Sequence, residues 1–137
     1  MTGEIDTKFL VIDSSGWIAY ITADQAKKQQ DFGQFFGDGA LILVPTTVIF
    51  EVQKMLTIRQ PDGMLAKHFL SIVHEMKVVS IDEEIASAAV GFAISYNLSM
   101  AQALTYSAAV ANEATLVTSD NYFQFKSVPG THFVPMG

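Results

Sequence analysis

Cysteine is absent from this 137-residue chain. Its absence excludes a disulfide frame, a thiolate metal site and a cysteine nucleophile, and it agrees with a cytoplasmic setting. Histidine is scarce: His68, His74 and His132 stand at spacings that pair no two of them as metal ligands. Cationic side chains are few as well, 8 Lys and Arg against 14 Asp and Glu, for a formal charge of −6. A chain this acidic has no general attraction for nucleic acid, so such a substrate would need a local basic patch or bound cations. No apolar run approaches the roughly 20 residues of a membrane span. The opening "MTGEIDTKFLVIDSSGW" places acids before a very short apolar run, unlike a signal peptide. No membrane association is expected. A Gly-rich loop ending in Lys-Ser/Thr is also missing, which leaves nucleotide hydrolysis of that kind unsupported.

What is present is apolar: 50% of residues are hydrophobic and 16% charged, which excludes disorder and suits a compact α/β interior. The length fits one domain spanning residues 1–137. A mean hydropathy of +0.30 is high for a soluble monomer and predicts surface covered by another subunit or a partner.

Short apolar runs alternate with helical patterns. "FLVI" (Phe9–Ile12), "LILV" (Leu41–Val44), "VVSI" (Val78–Ile81) and "TLVT" (Thr115–Thr118) read as strands, and "HFV" (His132–Val134) as a short edge strand. Val48, Ile49, Val52, Met55 and Leu56 form one helical stripe; Ile85, Ala88, Ala89, Phe92, Ala93 and Tyr96 form another that stops at Asn97. Gly37-Asp38-Gly39 and Pro61-Asp62-Gly63 are turns. The alternation predicts an α/β fold: a central, mostly parallel sheet of about five short strands flanked by helices.

Ligands of such sheets collect beyond the carboxyl ends of the strands. Asp13 follows the first strand directly, and Asp120 follows "TLVTS". Each also has a structural reading, Asp13 as a helix N-cap and Asp120 as part of a simple turn. Glu51 falls at the rim of the Val48/Val52 stripe, where it either pairs with Lys54 or looks into the same crevice. Gln102 sits three residues after Ser99, the spacing of a reciprocal capping box, and at a helix start where it can project beside a strand end. A phosphatase of the Asp-x-Asp type is unsupported, because Ser15 occupies the second acidic place.

With these positions in view, the chain resembles PIN-domain proteins, most closely VapC-type toxins of toxin–antitoxin pairs. "FLVIDSSGWIAY", "VPTTVIFEV" and "LSMAQALTYSAAVANEATLVTSDNYF" carry the resemblance nearly end to end, with Gln102 where the family normally has Asp. The resemblance implies a single PIN-like domain and a Mg²⁺- or Mn²⁺-dependent endoribonuclease. It implies that Asp13, Glu51 and Asp120 form the acidic cluster that binds the metal, supported by hydrogen bonds from Ser14 and Thr118. It implies a homodimer and neutralisation by a small antitoxin. At position 102 a carboxamide oxygen can coordinate a cation but supplies no charge, so weakened metal binding is expected. The alternative is a catalytically degenerate PIN domain that binds a partner or RNA without cutting it.

Lys27, Lys28, Lys54, Arg59 and Lys67 read as ordinary solvated cations rather than a phosphate track. Trp17, Tyr20, Phe32, Phe35 and Phe36 read as packing rather than base-stacking platforms.

Overall fold

Residues 9–22, 33, 35 and 40–135 are described by the structure, a computed structural model. Five strands, β1 (Phe9–Ile12), β2 (Leu41–Pro45), β3 (Lys77–Val79), β4 (Thr115–Thr118) and β5 (Thr131–Phe133), form one sheet in the order β3-β2-β1-β4-β5. Every pairing is parallel. The flanking helices are α1 (Ser14–Ile21), α2 (Thr46–Arg59), α3 (Met64–Val73), α4 (Glu83–Tyr96), α5 (Met100–Ala111) and α6 (Asn121–Phe125).

The apolar runs form strands because both faces of the sheet are covered, and successive side chains serve opposite faces. Leu10, Ile12, Ile42, Val44 and Val117 pack under Trp17 of α1, Val48, Val52 and Leu56 of α2, and Phe69 and Val73 of α3. Val11, Leu43 and Leu116 face the other way, onto Ala89 of α4 and Ala103, Tyr106 and Ala109 of α5. Small residues let α5 lie close to its neighbours. Ala108, Ala109 and Ser107 are buried, and the Ser107 hydroxyl donates to the Ile85 carbonyl of α4 at 2.7 Å.

The central strands match the sequence expectation, while both edges shift. β3 ends at Val79, because Ile81 turns away to donate its N–H to Thr46 Oγ1 at 3.3 Å. β5 starts one residue earlier than its apolar pattern, at Thr131. An edge strand has one neighbour and a wet face, so hydrophobicity alone bounds it poorly. The helical stripes are also narrower than predicted: Met55 is 53% exposed, and Ala88 faces solvent.

At the predicted turn Pro61-Asp62-Gly63, Gly63 takes φ of 85°, which favours glycine, and Asp62 Oδ1 accepts from Met64 N–H at 2.9 Å to open α3. Asn97 closes α4 in the left-handed conformation, as the sequence predicts. The Gly37-Asp38-Gly39 turn, Lys27, Lys28, Phe32 and Phe36 lie outside the described residues. Among the described residues no helix is long and apolar enough to cross a membrane.

Candidate active site at the carboxyl ends of the strands

Strand order reverses between β1 and β4, and at such a switch a crevice opens beyond the strand ends. β1 and β4 are in register, Ile12 beside Val117, so the residues that follow them emerge side by side. Asp13 extends the ladder by one bond, donating its N–H to the Val117 carbonyl at 3.0 Å. The Thr118 hydroxyl then donates to Asp13 Oδ2 and accepts from the Asp120 N–H, the latter at 2.9 Å. A single hydroxyl thus couples the two acids.

Asp13 caps a helix and also lines the cleft. Its Oδ1 caps α1 by accepting from Gly16 N–H at 3.0 Å and takes the Ser15 hydroxyl at 2.6 Å, while the residue lines the cleft. Ser15 Oγ in turn accepts from Ser119 N–H at 3.0 Å, a second link between the two strand ends. With three donors on its carboxylate among the described residues, Asp13 keeps one free lone pair, on Oδ2.

Glu51 lies on the second turn of α2, half-buried, and shares with Asp13, Asp120, Ser14 and Gln102 a cleft of about 240 Å³. The structure therefore brings all four singled-out positions to one place. Gln102 completes the capping box, its Oε1 accepting from Ser99 N–H at 2.9 Å and its own N–H donating to Ser99 Oγ at 3.2 Å. Its Nε2 donates to Asp120 Oδ2 at 2.9 Å. The carboxamide oxygen, named above as a candidate cation ligand, is thus engaged by the helix cap, and the group turned toward Asp120 is a donor.

Electrostatics mark the cleft as short of positive charge. Burial pushes the Asp13 carboxyl above its ordinary range, opposed by the Ser15, Thr118 and Gly16 hydrogen bonds and reinforced by the charge of Asp120. Burial likewise raises Glu51, the Asp13 charge adds to the effect, and the Ser14 hydroxyl opposes it. The Glu51 carboxylate is governed by these neighbours and not by Lys54, the partner weighed from sequence.

The donors fit a hard cation of a particular kind. Among the described residues no three acid or imidazole groups converge into a ready-made cage. The cleft is lined by the carboxylates of Asp13, Glu51 and Asp120 and by hydroxyl oxygens. Oxygen donors of this kind suit a hard divalent cation that keeps part of its water shell.

Sequence reasoning missed several contributors. Ser119, Thr105 and Tyr122 were not singled out. Thr105 is 3% exposed, lines the cleft, and shares a 2.9 Å hydrogen bond with Thr47 of α2. Tyr122 N–H donates to Asp120 Oδ1 at 2.9 Å, so Asp120 is the entry to α6 rather than a simple turn. A buried-helix threonine facing another helix leaves no periodic signal. The run Asp-Asn-Tyr-Phe after a strand is a helix-start signal of a kind that was readable.

The fold is shared with several solved toxin–antitoxin proteins. VapBC2 from Rickettsia felis, bound to a DNA fragment from its promoter, superposes with a TM-score of 0.72 at 14% identity, covering 94% of this chain and 99% of that one. The Mycobacterium tuberculosis toxin VapC20, which cleaves the sarcin–ricin loop, gives 0.68 at 13% identity over 85% of this chain and 94% of its own. A toxin–antitoxin complex from Klebsiella pneumoniae gives 0.67 at 13% identity, over 91% and 99%. No curated protein matches the chain significantly. The PIN domain family model matches residues 10–129, which contain every strand end and acid of the cleft except the last edge strand, and the chain belongs to the PIN-domain family.

Proposed function

We propose that the chain is a Mg²⁺- or Mn²⁺-dependent endoribonuclease of the VapC toxin type, hydrolysing RNA phosphodiesters in the Asp13–Asp120 cleft. One observation carries this reading: the Thr118 hydroxyl joins the Asp13 carboxylate to the Asp120 backbone at the sheet's switch point, and Glu51 lines the same cleft. Asp13, Glu51 and Asp120 would hold the cation, which when bound supplies an acidified water and neutralises charge on the phosphate. Ser14 and Thr118 support those acids by hydrogen bonds. Thr118, Ser15 and the α1 N-terminus fix the Asp13 carboxylate before any ligand arrives, so binding does not have to order it.

The partners follow from the same reading. Two of the similar structures named above are toxin–antitoxin complexes, which supports a small antitoxin as the cognate protein. Large apolar side chains left in solvent, among them Phe50, Ile94 and Met100, support a homodimer. A cytoplasmic setting agrees with the lack of cysteine.

The test is cleavage of an RNA panel with Mg²⁺ or Mn²⁺ against the same mixture in EDTA. Cleavage is expected only with the divalent ion, and Asp13→Asn and Asp120→Asn each abolish it. Cutting that survives in EDTA, or in both variants, ends the proposal. Weak activity is expected of the wild type, with Gln102→Asp the faster enzyme. A second reading, a degenerate domain that binds without cutting, is favoured by the hydrogen bonds that engage both ends of the Gln102 carboxamide. It gains if Gln102→Asp remains inert while a small partner co-purifies with the wild type.

A further inference from the structure

Gln102 is fixed in orientation by chemistry rather than by fit alone. The Ser99 backbone N–H has only a donor to offer, so the carboxamide oxygen has to face it, which it does at 2.9 Å. The NH₂ group is thereby directed away from the cap, and it meets Asp120 Oδ2 at 2.9 Å. Reversing the amide would set donor against donor at Ser99 and acceptor against acceptor at Asp120.

The bond belongs to a closed brace. Asp120 Oδ1 is held by the Tyr122 N–H, and the Tyr122 hydroxyl donates to the Asn97 carbonyl at 2.7 Å, with the Tyr96 carbonyl at 3.2 Å. The end of α4, the start of α5 and the β4–α6 turn are therefore joined in one ring of hydrogen bonds that passes through the acid. Tyr122 is a positioning residue in that ring. On this side of the cleft Asp120 is offered the positive end of an amide dipole. On the other side Asp13 keeps a free lone pair on Oδ2 and stands near enough to Glu51 for its charge to be felt.

Resting on the metal-dependent reading above, we propose that the Gln102 amide takes the place of a second divalent cation, so that the cleft binds one ion rather than two. An acid at position 102 would face the Asp120 carboxylate and require an ion or a proton between them. Glutamine satisfies the same oxygen with a neutral donor and closes that place. The departure from the acidic family pattern thereby changes the number of ions bound, beyond weakening a shared set of ligands.

Gln102→Glu tests this with little change of shape, because glutamate keeps the length and the oxygen that caps Ser99 while replacing the NH₂ with a second carboxylate oxygen. Metal-free wild type, Gln102→Glu and Gln102→Ala are titrated with Mn²⁺, free ion being read by electron paramagnetic resonance, and each is melted in EDTA and in Mn²⁺. Wild type and Gln102→Ala are expected to take one ion per chain. Gln102→Glu is expected to take a second. In EDTA it is expected to melt below wild type and to recover in Mn²⁺.

Two ions in the wild type, or a Gln102→Glu chain that takes no more ions than wild type, overturn the proposal and leave the metal-dependent reading standing. No Mn²⁺ in any chain, with Asp13→Asn indistinguishable from wild type, overturns that reading and this one with it.

Discussion

Thr118 donates its hydroxyl hydrogen to Oδ2 of Asp13, 105 residues earlier in the chain, and both side chains are buried. The contact follows from parallel pairing. β1 and β4 lie side by side with no hairpin between them, so residues at the two strand ends meet although most of the chain separates them. It ties the fold to the site, because the threonine that ends a core strand also satisfies an acid of the cleft.

Thr118→Val preserves shape and removes the hydroxyl. It leaves a buried carboxylate oxygen without its donor and the Asp120 N–H without its acceptor. Unpaired buried groups cost about 1–3 kcal/mol each, so a loss within that range or somewhat above it is expected. Thr118→Ser, which keeps the hydroxyl, is expected to lose less than half as much. Urea midpoints at unchanged slope measure both. A valine variant as stable as wild type would show that the hydroxyl does not support Asp13.

The raised proton affinities of Asp13 and Glu51 have a sign in stability. Both groups hold protons more tightly folded than unfolded, where their reference values are 3.8 and 4.5. Their contribution is therefore fully present below those values and is lost as pH rises through the folded ones. Metal-free protein is expected to lose melting temperature across that interval more steeply than Asp13→Asn, which has no proton to release. Mn²⁺ is expected to flatten the loss by offering the carboxylates a counter-charge. Parallel wild-type and Asp13→Asn curves in EDTA would show that burial of Asp13 carries no such penalty.

The three central strands were legible because two-sided burial writes itself as an uninterrupted apolar run: Val11, Ile12, Val44, Leu116 and Val117 are at most 1% exposed. The edges were less legible because one wet face weakens the pattern, and Val78 is 45% exposed. At the site, Asp13 and Asp120 were each legible as acids following a strand, while their meeting depends on the β1–β4 pairing. The direction of the Gln102 amide was not legible. It is set jointly by a local donor, Ser99 N–H, and by Asp120, an acceptor supplied from a different part of the sheet. The capping box was readable from its four-residue spacing, but the second bond depends on tertiary contact. Tyr122 was hidden for the same reason, because its backbone serves Asp120 while its hydroxyl reaches the end of α4.

Phe69 tests the opposite layer, away from the cleft. It is fully buried in α3 and meets Trp17 edge-on with ring centroids 5.2 Å apart. Phe69→Ala is expected to cost about 3–5 kcal/mol, as large aromatic truncations in cores do. Phe69→Leu, filling more of the space, is expected to lose substantially less. Denaturation of the metal-free protein measures both, and equal losses would mean that the edge-on Trp17 contact, which both variants lack, outweighs the filled volume.

The apolar surface gives the last prediction. Ile94 and Met100 are each 78% exposed and Phe50 66%. Two shallow apolar depressions, one of about 450 Å³ beside α2 and one of about 350 Å³ beside α4, share Met100 and Leu104, so they form a continuous strip. The first also shares Glu51 and Ala101 with the acid cleft, which puts the strip at the rim of the site. A strip of this kind left wet is unfavourable, and pairing with a second copy would remove it from water. Wild type is therefore expected to sediment at twice the 14.9 kDa chain mass, and Met100→Lys with Ile94→Lys to return it toward the single-chain value while its far-UV circular dichroism stays that of the folded chain. Both positions are solvent-facing in the single chain, so a lysine there disturbs association and not the core. Double mass retained in the charged variant would place the dimer contact elsewhere, because two lysines inside an apolar seam would carry an uncompensated desolvation cost.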